Sequence, residues 1–341
     1  SILLGLAQAS TVHGLIMSSV NRDGIDKHHP VPDSFITSCR ESLGSHYRWP
    51  LDECKDVAPG QPFLLFLLSK VAKEAGDVDW QYPLDIVDGV PLGVDSPPLP
   101  CEHVWPTKEE MSKCPMDIEL GEPCSKDNYT SAGDFEDEIK ATFEEEKEMD
   151  MTLGPMDLES AAIICDCETN GICCGALAGI NEGDKIRTVH DGTIVNVNPW
   201  IQRNTPCKTT SPSLHDLLWA RIRALQFLRT RKSRQDITVV RPAATYGADN
   251  GKKTKVTYFK ADVTKAHRRI KVRQKDWKYQ AAKVKGQIWL NLVGTYGIAS
   301  AQYYWGRLAA LIVRLVYELS ADFLWVMVYV DDFMLIIPED T

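Results

Sequence analysis

Apolar patterning is densest near the end of the chain. Two β-favouring runs, Trp325 to Val330 and Phe333 to Ile337, flank the acidic pair Asp331-Asp332. Two residues between two such runs predict a tight β-hairpin with both aspartates at its tip. Upstream, Val256 to Val263 reads as a strand that ends on Asp262, and Thr264 to Lys271 as a short helix. Gln287 to Val293 alternates Ile288, Leu290 and Leu292 against Trp289, Asn291 and Val293, the period of a strand apolar on both sides. Gly297 opens a long helix whose stripe is Leu308, Leu311, Ile312, Leu315, Val316 and Leu319, ending near Ser320. Strand, helix, strand, long helix and hairpin in that order predict an α+β fold, an antiparallel sheet backed by helices on one face.

The earlier pattern is weaker. Residues 61–76 predict a helix, and a Pro-, Gly- and Asp-rich connection runs from Gly76 to Pro106. Ser131 to Met149 carries six glutamates among few apolar residues and predicts a charged surface helix. From Asp184 to Asn196 the pattern gives a strand bearing Arg187, a turn at Asp191-Gly192 and a second extended piece. Ser213 caps a helix to Thr230 with Leu217, Leu218, Ile222, Leu225 and Leu228 as its apolar stripe.

Charge changes this picture. The net charge of −9 argues against a simple basic nucleic-acid binder, yet it averages two opposite regions. Arg221 to Lys285 holds twenty Lys and Arg against four Asp; Cys101 to Ser160 holds eighteen acidic residues against five Lys. A basic region of this kind points to a polyanionic partner. The ten cysteines all lie at or before Cys207, without the spacing of a secreted disulfide framework, so an intracellular, reducing compartment is expected. Cys165, Cys167, Cys173 and Cys174 lack the pair spacing of a zinc site and read as buried thiols. His28-His29 has no second pair at ligand spacing and reads as surface. The longest apolar run, Phe63 to Leu68, is far too short to span a membrane, and no signal peptide is expected. The chain starts with Ser and ends four residues after its last apolar arm, so a fragment is expected.

An aspartate at a strand end beside a hairpin tip with two more would crowd three carboxylates, which repel unless a cation intervenes. Magnesium takes oxygen ligands and leaves room for substrate phosphates. A pair of such ions can activate a 3′-hydroxyl and stabilise leaving pyrophosphate. Such a site requires the Asp262 and Asp331 carboxylates on the order of 4–5 Å apart.

The residues also carry a family resemblance. Tyr329-Val-Asp-Asp332 resembles the YxDD motif of reverse transcriptases. Asp262-Val-Thr-Lys-Ala-His-Arg-Arg-Ile270 is similar to their first catalytic motif, and Tyr296-Gly-Ile-Ala-Ser-Ala301 to the segment that opens the helix beneath the nucleotide. Ile186 to Asn196 resembles the fingers strand. The pieces keep the family's order; Gly297 follows Asp262 by 35 residues and Asp331 follows Gly297 by 34. Together they cover Leu153 to Pro338. The 75 residues from Arg187 to Asp262 are long for the family and imply an insertion around residues 230–255.

The resemblance implies a retroelement-type RNA-directed DNA polymerase with right-hand fingers and palm, an antiparallel palm sheet and no thumb in this chain. Residues 1–106 would be an N-terminal extension, 107–150 an acidic linker or surface helix, 151–256 fingers and 257–341 a truncated palm. Asp262, Asp331 and Asp332 would be catalytic, and with the Val263 carbonyl would hold two Mg2+ ions, with Mn2+ as a substitute. Arg187 would clamp the triphosphate. His267 falls at the sugar gate, where relatives carry an aromatic; Tyr296 and Gly297 would lie against the nucleotide. Gln302 stands where many relatives have Pro. Lys252, Lys253, Lys255, Arg268, Arg269, Lys271 and Arg273 would bind nucleic-acid phosphates. Trp277, Tyr279, Trp289 and Trp305 offer either stacking surfaces or core. The implied partners are an RNA template, a DNA primer and deoxynucleoside triphosphates, with no membrane. Two other readings stay open: a silent retroelement remnant that only binds nucleic acid, and an RNA-dependent RNA polymerase.

Overall fold

The computed structural model describes residues 33–58, 63–101, 104–108, 120–235, 256–320 and 325–338. His28-His29 and Lys252, Lys253 and Lys255 lie outside the described residues. Helices α1 (Asp33–Tyr47), α2 (Leu65–Glu74), α3 (Tyr82–Asp88), α4 (Thr130–Asp134) and α5 (Glu136–Glu148) come first. Strand β1 (Thr152–Met156), α6 (Leu158–Ile164), the hairpin β2 (Ala176–Asn181) and β3 (Ile186–Asp191), α7 (Val197–Asn204) and α8 (Leu214–Gln235) follow. The last part holds β4 (Val256–Asp262), β5 (Ala281–Val284), β6 (Gln287–Asn291), α9 (Ala299–Ser320), β7 (Trp325–Tyr329) and β8 (Asp332–Pro338). It is a mixed fold with small antiparallel sheets. No helix among the described residues is long and apolar enough to cross a membrane.

The chain divides into two compact units. The first comprises residues 1–56, 212–262 and 312–341. Its sheet runs β4-β8-β7, all antiparallel. Val326 and Phe333 are buried within it. Tyr317, on the part of α9 in this unit, pins the edge strand: its hydroxyl donates to Val326 O at 2.9 Å and accepts from Val326 N at 3.0 Å. Helix α8 packs on the same sheet. Ser213 and Asp216 close a reciprocal cap at its start, the hydroxyl and backbone N–H of Ser213 each 2.7 Å from Asp216 Oδ2. The helix is turned from the expected stripe, however. Ala224 is fully buried, with Leu217 and Ala220 half-buried, whereas Leu218 and Ile222 are exposed. Small alanines allow close approach to a sheet, and apolar residues on both sides of the helix left its inward face undetermined by periodicity.

The second unit comprises residues 57–211 and 263–311. It contains the sheet β1-β6-β5 and the β2–β3 hairpin. Trp289 of β6 is 1% exposed and packs against Phe143 of α5 at 5.5 Å between ring centres, with Ile139 in the same cluster. Trp305 is likewise buried, so both tryptophans are core. Trp277 and Tyr279 pack half-buried on neighbouring clusters. Arg307 is buried against Asp79 at 2.6 Å and lies 4.2 Å above the Tyr82 ring. The cysteines of the described residues are free thiols.

Three local expectations change in this unit. The piece after Gly192 is no second strand: Asp191 Oδ1 accepts the backbone N–H groups of Thr193 and Ile194, Asn196 turns through φ +61°, and α7 begins. The helix expected from Thr264 to Lys271 is a single 3-10 turn, Ala266–Arg269. Helix α5 is not a purely solvated helix, because Glu146 is buried together with Ile139 and Phe143.

Candidate metal centre

The β7–β8 hairpin forms because β-branched, aromatic and long apolar residues alternate along both arms. Its loop is one residue earlier than the acidic pair suggests. Tyr329 pairs with Asp332, so the two loop residues are Val330 and Asp331, and Asp332 opens β8. Val330 takes φ +58°. A β-branched side chain in the left-handed region is strained, and the pairing on both sides imposes that conformation.

Pairing with β4 then sets the site. Asp262 lies directly opposite Asp332 in the antiparallel register. Like charges so placed are unfavourable in a sheet. The loop adds Asp331, and one carboxylate oxygen from each of the three lies within 4.8 Å of the others. Asp262 is exposed; Asp331 and Asp332 are half-buried. Partial loss of solvent pushes the Asp262 carboxyl above its ordinary range, reinforced by the charges of Asp331 and Asp332 and a hydrogen bond with Asp332; Lys260 opposes this. Lys260 donates to Asp332 Oδ2 at 2.9 Å, and that bond holds the ammonium's pKa above its usual value. Three carboxylates with no nitrogen or sulfur ligand form a hard, all-oxygen donor set, which suits magnesium or manganese. Among the described residues no other cluster of three acidic, histidine or cysteine ligands has this geometry.

The remaining expected site residues that the structure describes lie in the second unit. His267, on the 3-10 turn, places Nε2 2.6 Å from Gln302 Oε1, and its ring meets the edge of Tyr296 at 5.3 Å. Nε2 donates in the assigned amide orientation, and the buried Nδ1 has no partner. Gly297 takes φ +88°, and a Cβ there would sit 1.8 Å from His190 O. The requirement for glycine thus comes from the close approach of the β3 backbone. Asn198 bridges this point, donating to Gly297 O and accepting from Ala299 N, both at 2.8 Å, at the start of α9. Arg187 extends from β3 with an exposed side chain, 3.5 Å from Glu182.

The basic residues divide. Arg268 is 2% exposed, ion-paired with Glu146 and bonded to Asn291 at 2.8 Å and Thr295 at 3.1 Å. It is therefore an interior residue and not the phosphate ligand its place in a basic run suggested; a buried guanidinium needs this complement of acceptors. Arg273 is bound to Asp276 at 2.8 Å and to Ser96. Arg269 is half-buried and donates to Thr264 O at 3.0 Å, and Lys271 donates to Val87 O at 3.3 Å. Lys260, Asn198 and Glu146 were missed from sequence. Lys260 alone had a local signal: two residues before Asp262 in a strand, it shares that aspartate's face.

No family model matches the sequence, and no curated protein matches it. Among solved structures, the chain is similar to the selenomethionine-labelled CSH mutant of the Prototype Foamy Virus protease-reverse transcriptase, with 16% identity over 63% of this chain and a TM-score of 0.37. The native form of the same viral protein gives 15% identity over 64% of this chain at the same TM-score. The chain spans about a fifth of those proteins' length, 21% and 22%. A likeness of that size decides nothing about function, which rests on the residues themselves.

Proposed function

We propose that this chain carries the catalytic residues of an RNA-directed DNA polymerase, which adds deoxynucleotides to a primer 3′-end and releases pyrophosphate. The observation that supports this most is the convergence of Asp262, Asp331 and Asp332 within 4.8 Å, on a strand end and a Tyr-Val-Asp-Asp hairpin. Asp262 and Asp331 would hold the divalent ions, with the Val263 carbonyl beside them and Asp332 as the weaker ligand. When bound, magnesium supplies a lowered pKa for the attacking hydroxyl and charge neutralisation for the leaving pyrophosphate.

The chain's own groups do the positioning. Arg187 offers a planar fork of donors to triphosphate oxygens, and its pairing with Glu182 at 3.5 Å in an exposed setting is weak enough to exchange. His267, backed by Gln302 and Tyr296, gives the sugar gate its bulk against a 2′-hydroxyl. Tyr296 and Gly297 line the nucleotide's place. Arg269 and Lys271, with Lys252, Lys253 and Lys255, supply phosphate contacts whose contribution falls with salt. Residues 151–256 serve as fingers and 257–341 as palm.

Primer extension on an RNA template, with deoxynucleoside triphosphates and Mg2+, tests the proposal. Extension by the wild-type chain and its loss in Asp331→Asn is the expected outcome; equal extension by both, or by neither, removes it.

A further inference from the structure

Lys260 and Asp262 are two residues apart on β4, so their side chains leave the same face. Asp332 is the residue opposite Asp262, which makes Lys260 its diagonal cross-strand neighbour. The ammonium uses that position to bond Asp332 Oδ2 at 2.9 Å. Both partners are open to solvent, with side chains 60% and 34% exposed. An ion pair so exposed is weak and separates readily. Its effect on a neighbouring divalent ion is another matter, since the ammonium engages one oxygen of a three-carboxylate set and cancels part of its negative charge.

We propose that Lys260 is a resident counter-cation of the acidic site, one that competes with the divalent ion for Asp332 and sets how tightly that ion binds. This rests on the metal-binding reading of the three aspartates. Without a metal, Lys260 relieves the repulsion between facing carboxylates. When a divalent ion arrives, the ammonium gives up Asp332 and swings on its flexible stem into solvent. The site is thereby tuned to bind its ion more weakly than three unopposed carboxylates would.

Manganese binding to the full chain, followed by loss of the free-ion electron paramagnetic resonance signal, separates the possibilities. Lys260→Met keeps the apolar stem and removes the charge; it should bind manganese about fivefold more tightly, the size expected for one unit charge facing a divalent ion across several ångströms of water at physiological salt. Lys260→Arg keeps the charge and should remain near wild type. Asp262→Asn should bind much more weakly. If Lys260→Met binds no more tightly than wild type while Asp262→Asn has lost binding, Lys260 is a bystander and the metal site stands without it. If wild type and Asp262→Asn bind manganese alike, the aspartate site itself fails, and the role of Lys260 with it.

Discussion

At the residue scale, Asp262 concentrates the tension of the site. Its carboxyl is raised by partial desolvation and by two neighbouring acids, so the folded chain holds its proton more firmly than the unfolded chain. The sign follows from proton linkage. A raised folded-state pKa favours the fold below the ordinary value of 3.8, and that benefit is lost as pH rises through the folded-state value. Above that window the ionised Asp262 opposes folding. Asp262→Asn should therefore melt at a higher temperature than wild type at pH 7 without metal. The difference should shrink as pH is lowered towards 4, and differential scanning fluorimetry across that range would show it. A melting temperature at pH 7 equal to or below that of wild type would mean that the carboxylates do not strain one another. Val330 adds backbone strain next to Asp331, in the hairpin loop, through its φ of +58°. At His267, the predicted consequence is chemical: His267→Ala should increase ribonucleotide incorporation in the extension assay, and an unchanged ratio would leave the ring a packing residue.

At the element scale, strands whose pattern is local were legible. The arms of β7 and β8, and β4 ending on Asp262, follow from runs of β-branched and aromatic residues. The loop register was not, because aspartates favour turns while the pairing of Asp332 with both Tyr329 and Asp262 draws it into the strand. Helix α8 misled for a related reason, since an apolar surface on both sides gives periodicity without direction. Arg268 was unreadable locally: its partner Glu146 is 122 residues away. That pair joins α5 to the 3-10 turn after β4 within the second unit, and it is nearly dry. Glu146→Ala would leave a buried guanidinium without its counter-charge and should cost about 3–5 kcal/mol of stability. Urea denaturation of Glu146→Ala, Arg268→Met and the double variant measures the coupling. Additive losses would show that the two side chains are independent.

At the scale of the whole molecule, the motif order and the strand register meet at one carboxylate cluster. The motif order groups Asp262 with Asp331 and Asp332, and in the structure one oxygen from each of the three carboxylates lies within 4.8 Å of the others. The acidic and basic halves of the charge distribution proved a poorer guide, because part of the basic run is spent on interior ion pairs. Everything catalytic then depends on whether that carboxylate cluster performs phosphoryl chemistry. The most direct measurement is single-turnover incorporation of one deoxynucleotide into a primer on an RNA template, comparing wild type with Asp262→Asn, each checked for its fold by circular dichroism. On the proposed function, loss of the Asp262 carboxylate should reduce the rate roughly a thousandfold, the several kcal/mol that metal-borne charge stabilisation would supply. A folded Asp262→Asn variant that incorporates at the wild-type rate would contradict the account.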